Sequence, residues 1–228
     1  KLYSIFKQKP LICTDSRKSI QGAIFFALKD NIDPAINDTP AYLAHLAIHE
    51  YTHVFQREMQ DTQNDYYNQV FNEGYAQMMG QYLGDVFSFM TFTSEMNNAF
   101  QQFKTEHDKD TSQFLAAIRN NFETMSADQR MPFMYAGASW AIAYLVHRNN
   151  GSCTSNCTQG LNDLKSYYTN AKSTNHEEVF KSTFNYNSYD EFYVEANTFL
   201  DGLDNASANT WITTLSSRLP STFNELSE

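Results

Sequence analysis

The stretch Ala47-Ile48-His49-Glu50-Tyr51-Thr52-His53, followed by Asn72-Glu73-Gly74-Tyr75-Ala76, decides how the rest of this 228-residue chain is read. On a helix, His49 and His53 stand four residues apart, so both imidazoles project from one face and reach a single ion. Glu50 follows His49 at the edge of that face, where a base acting on ion-bound water belongs. Imidazole nitrogens of borderline softness suit zinc, and a catalytic zinc takes three protein ligands and keeps a fourth position for water. Glu73, on the next expected helix, is the candidate third ligand. His45 lies four residues before His49 on the same stripe, where it either competes with Glu73 or supports the helix surface.

Working outward, Thr39 and Pro40 read as a helix start, a hydroxyl cap followed by a residue whose fixed φ suits the first helical position, and the helix runs to about Met59. A second helix starts at Asn64 or Asp65 and carries Val70, Phe71, Tyr75, Met78 and Tyr82 at helical intervals. Gly74 inside it costs about 1 kcal/mol relative to Ala, and close packing of the two ligand helices is the expected reason. Asn72 is expected to hydrogen-bond the first helix. From Thr93 onward the pattern is helical, over about 94–106, 111–124, 132–148, 160–170, 176–184, 188–203 and 208–218. Upstream, Pro10–Cys13 and Ser19–Leu28 are rich in residues that fit a pleated surface and read as two strands. The expected fold is therefore α+β, a single catalytic domain over residues 1–228. Residues 1–38 are mostly sheet with an edge strand, 39–92 hold the metal-binding helices, and 93–228 form a helical remainder.

Composition narrows the function. The chain is 42% hydrophobic and only 18% charged, enough apolar material for a sizeable core. A formal charge of -10 with no run of Lys and Arg argues against nucleic acid as a partner. No stretch of about 18 apolar residues exists to span a bilayer. Cys153 and Cys157 flank a polar turn and read as a local disulfide, which points to an oxidising compartment, hence a secreted or periplasmic protein. Cys13 is left over and reads as a small buried residue. The absence of Met and of an apolar leader at Lys1 leans the same way.

His49-Glu50-x-x-His53 with Asn72-Glu73-Gly74-x-Ala76 resembles the gluzincin metallopeptidases, the group of thermolysin, zinc aminopeptidases and, more loosely, bacterial collagenases. The resemblance implies a zincin-like catalytic domain, zinc held by His49, His53 and Glu73, and Glu50 as general base on zinc-bound water. It also implies a peptide or protein substrate aligned on an edge strand near Gly22. Zinc aminopeptidases of this group carry an acid on that strand to hold a free amine. Phe25 stands at the corresponding place by spacing, which favours an endopeptidase.

Two residues are expected to polarise the reacting carbonyl. Met134-Tyr135-Ala136-Gly137 is similar to a Tyr-x-x-Gly segment of related aminopeptidases, with the glycine one residue early, so Tyr135 is one candidate and a core aromatic is its alternative. His147, at the end of an apolar helix, is the rival, by analogy with the histidine of thermolysin-like enzymes. Gln77 replaces the Asp with which those enzymes orient a zinc histidine. A zinc-binding pseudoenzyme that serves as a protein-binding module, an aminopeptidase, and a metal-dependent hydrolase of another substrate are the competing functions. Oligomeric state is not legible.

Overall fold

Phe71 is fully buried, and its ring meets Tyr167 (4.8 Å between centroids), Phe180 (5.5 Å) and Phe192 (6.0 Å) in one aromatic cluster. Burial of rings this size dominates core energetics, so the chain around Phe71 is pinned before any ligand is considered. The structure, a computed structural model, describes residues 12–14, 24–26, 40–60, 68–149, 156–172 and 174–221. Among them, α1 spans Pro40–Gln60, and a π-helical turn, Val70–Gly74, runs into α2, Tyr75–Val86. Then follow α3 (Phe92–His107), α4 (Ser112–Arg119) and the short α5 (Ala127–Gln129). A second π-helical segment, Arg130–Gly137, leads from α5 into α6 (Ala138–Asn149). The chain closes with α7 (Thr158–Asn170), α8 (His176–Phe184), α9 (Tyr189–Asp201) and α10 (Asn205–Ser216).

The helix α6 is buried nearly all round, from Ala138 through Trp140 and Ile142 to Val146. A helix apolar on every side belongs at a domain's centre, and the Trp140 indole is tied there by donating to the Met96 carbonyl at 2.7 Å. Around it, α3 buries Phe92, Met96, Phe100 and Phe103, α7 to α9 add Tyr167, Tyr168, Phe180, Phe184 and Phe192, and α10 adds Ile212 and Leu215. Local capping agrees with this layout. Ser188 accepts from the Glu191 amide at the start of α9, and Asp204 with Ser207 forms a capping box at the start of α10.

The α+β expectation is corrected: the described residues are mostly helical. Their β structure is a pair of three-residue strands, β1 (Ile12–Thr14) and β2 (Ile24–Phe26), antiparallel with Cys13 opposite Phe25. Such a ladder is too small to be a layer of the fold, which is built by helix on helix. Branched and aromatic residues suit any half-buried surface, so the upstream composition overstated the sheet. Gly22, Thr39, Asn64 and Asp65 lie outside the described residues. Cys157 is buried and disulfide-bonded; Cys153, the partner expected from the sequence, also lies outside them. No helix among the described residues is long and apolar enough to cross a membrane.

Candidate metal centre

The buried residues of α1 among those described are His45, His49, Thr52, His53 and Gln56, every one of them polar. Their spacing of three and four keeps them on one face, which lies against α2. His49 and His53 point their Nε2 atoms at one another across 3.2 Å, and Glu73 Oε2 lies 3.4 Å from each. For ligand bonds of about 2.0–2.1 Å, a tetrahedral ion places its ligand atoms about 3.3 Å apart. The three edges fit that figure. These three residues could hold a metal ion, and among the described residues no other group of three His, Cys, Asp or Glu side chains is so placed.

Glu73 is presented by the π-helical turn. Phe71, two residues earlier, faces the aromatic core, and residues two apart on a helical turn lie on nearly opposite sides. The widened turn leaves backbone carbonyls to be satisfied, and π-turns of this kind recur at functional sites. Gln56 Nε2 donates to the carbonyls of Phe71 (3.2 Å) and Asn72 (3.1 Å), and the Tyr168 hydroxyl donates to Phe71 O as well. With Nε2 so committed, Gln56 turns Oε1 toward His53 Nδ1 at 2.8 Å. An amide oxygen only accepts, so Nδ1 carries a proton and the neutral ring offers its Nε2 lone pair to the shared centre. A single buried glutamine thus fixes the His53 tautomer and braces the backbone that carries Glu73. Orienting contacts of this type are a regular part of metal sites.

Electrostatics match the geometry. Burial pushes the Glu73 pKa up, but hydrogen bonds from His49 and His53 outweigh it and hold the carboxyl at about 2. Burial pushes His53 down, yet the Glu73 carboxylate and Gln56 leave it raised overall. Glu50 adds its own attraction to His53, which places its charge beside the group. The Tyr135 ring lies 6.0 Å from that of His49, and burial, then the charges of Glu73 and Glu50, push its pKa up to about 12. The phenol therefore keeps its proton at neutral pH and can donate. It too follows a π-helical turn's buried aromatic by two residues: Phe133 packs against Phe114 at 5.6 Å.

His49, His53, Glu73, Glu50 and Tyr135 are thus brought together, and His147 is not. Gly74 approaches α6 at Ala138, whereas His147 lies about 13 Å further along that helix. There it packs on Trp211 (5.3 Å), and burial, then Arg218, lower its pKa. Two supporting expectations change. The close approach at Gly74 is to α6: a Cβ would sit 2.6 Å from the Ala138 carbonyl oxygen. Asn72 meets α1 through its carbonyl, while its Nδ2 is buried without a partner among the described residues. His45 does not join the group; its Nε2 pairs with Gln77 Oε1 at 3.2 Å, and burial followed by the nearby His49 lowers its pKa to about 4. His49 Nδ1 has no hydrogen-bond partner among the described residues. Gln56 was missed by the sequence reading, and its one signal was a glutamine three residues after His53 on the same face.

Comparison with known proteins gives no match. No family model, curated protein or solved structure matches the chain.

Proposed function

We propose that the chain is a zinc-dependent metallopeptidase that cuts peptide bonds internally. The observation that carries this reading is the triangle of His49 Nε2, His53 Nε2 and Glu73 Oε2, with tetrahedral edges, set beside a carboxylate and a protonated phenol. Two imidazoles and one carboxylate are a ligand set that suits zinc. Zinc, when bound, polarises a carbonyl and makes water a nucleophile near neutral pH. The remaining work falls to the chain. Glu50 takes the proton of the attacking water and returns it to the leaving nitrogen, a base whose position is set by its neighbour His49. Tyr135 donates its hydroxyl to the carbonyl oxygen as charge develops there. Gln56 holds His53 and the Glu73 turn in register through both events. The internal mode rests on Phe25, which supplies no acid to hold an amino terminus. The disulfide at Cys157 supports a secreted or periplasmic location.

The test is cleavage mapping by mass spectrometry on peptides with blocked and with free amino termini, wild type against Glu50→Gln. Internal cuts on both sets, absent in Glu50→Gln with zinc retained, support the reading. Trimming of free termini alone replaces it with an aminopeptidase. No cutting by zinc-loaded wild type moves the function to a metal-holding binding module.

A further inference from the structure

A groove of about 850 Å³ begins at Tyr135 and runs away from the metal group between α1, α2, α3 and the Arg130–Gly137 segment. Tyr135 belongs to both, since it lines the groove and stands one ring from His49. The wall supplied by α3 is Glu95, Asn98, Gln102 and Thr105, whose spacing of three and four puts them on one face. The opposite face of α3 is the buried stripe of Phe92, Met96, Phe100 and Phe103, so the polar wall is held rigidly. Across from it lie the amides of Gln77 and Gln81. Tyr42 and Met131 stand at the rim and are 39% and 57% exposed.

Among the described residues, the Asp, Glu, Lys and Arg side chains that line this groove are Glu95 and Glu106, both acidic, while the exposed Arg130 acts on Tyr135 from the neighbouring segment. Glu106 is paired with Lys109, whereas Glu95 makes no ion pair among the described residues. A half-buried acid in a wall of neutral amides, on a chain of net charge -10, draws in cations and repels anions.

We propose that this groove binds the peptide substrate on one side of the bond to be cut and selects a lysine or arginine side chain there, with Glu95 as the residue that reads it. The inference rests on the peptidase reading, and its test separates the two. Dye-labelled peptides blocked at both ends, identical except for Lys, Gln or Glu at each central position, are bound to zinc-loaded Glu50→Gln protein and followed by fluorescence anisotropy. At low salt the best-placed Lys is expected to bind about five- to tenfold tighter than Glu at the same position. Glu95→Gln in the same background should reduce that ratio to about twofold, and Glu95→Lys should invert it. Equal binding of Lys and Glu peptides, or a ratio that Glu95→Gln leaves unchanged, overturns the proposal. Cutting of the unlabelled peptides by wild type is scored separately. Cutting with no Glu95-dependent preference keeps the peptidase and removes this inference. Glu95-dependent Lys selection with no cutting keeps the groove's charge reading and removes the peptidase.

Discussion

The two elements that carry His49, His53 and Glu73 are built in opposite ways. The turn Val70–Gly74 and α2 are anchored by apolar burial: Val70, Phe71, Met78 and Tyr82 sit in the core, and the Tyr82 hydroxyl donates to Pro220 O at 2.6 Å. The described buried residues of α1 are all polar, and its flanking Leu46, Ala47, Ile48 and Val54 are only partly covered. Glu73 is therefore placed by the hydrophobic effect, which acts with or without an ion. The histidines are placed by Gln56, by Glu73 and, in this account, by the metal. Burying polar groups in this way costs free energy unless each finds its partner. The contrast predicts a stable ligand turn and a conditional helix.

The largest expected effect attacks the stable side. Phe71→Ala should cost about 3–5 kcal/mol, measured by urea denaturation, since it empties the centre of an aromatic cluster. Its metal binding should fail only as far as the fold fails. Removing the metal attacks the conditional side. At free zinc a hundredfold above its Kd, chelation should lower stability by about 2.7 kcal/mol. Hydrogen exchange should show the loss concentrated in α1, with amides of 75–86 protected longest. Uniform loss across both elements would erase the contrast.

Gln56→Leu keeps the volume and removes both functions of the amide. It should weaken zinc binding about 10–100-fold while His53 remains present, as measured by chelator competition. Gln56→Glu, which keeps the acceptor for His53 and loses the donor to Phe71 and Asn72, separates ring orientation from turn bracing.

The smallest effect is in pH and has a sign that the metal reverses. In metal-free protein, Glu73 has its pKa held at about 2, below its ordinary 4.5, so its contribution is complete above 4.5 and fades as pH falls toward 2. His53 is raised above 6.5, so its contribution is complete below 6.5 and fades as pH rises through the folded value. The pair therefore supports α1 best between 4.5 and 6.5. With zinc, the histidines must be deprotonated, so support for α1 should instead grow as pH rises through 6.5, where the metal-free contribution of His53 fades. Melting temperatures of both forms from pH 4 to pH 8 check this.

Much of this centre was legible before the fold. The four-residue spacing of His49 and His53 and the acid Glu73 on the next helix came from the sequence, because ligand chemistry requires certain residue types at helical intervals, whereas Tyr135 was singled out by a resemblance to a Tyr-x-x-Gly segment. The helices from residue 92 onward were visible in their periodicity. What was hidden is physical in each case. A π-turn leaves no periodic trace, so the device that turns Phe71 inward and Glu73 outward could not be read. Gln56 is indistinguishable in sequence from a surface glutamine, and only the carbonyls freed by the π-turn give its amide a use. His147 looked suitable because a histidine ends an apolar helix, but that helix meets the centre at its opposite end. The N-terminal sheet was inferred from propensity, which describes a kind of surface and does not specify a partner.

The central claim is that His49, His53 and Glu73 hold one zinc ion, and the most direct measurement is an equilibrium zinc titration against a chromophoric chelator. It compares wild type with His49→Ala, His53→Ala, Glu73→Ala and, as a neighbour outside the group, His45→Ala, with circular dichroism to confirm folding. The account predicts a single tight site in wild type and in His45→Ala, lost in the other three. Tight binding that survives Glu73→Ala, or a folded wild type with no affinity for zinc, would contradict it.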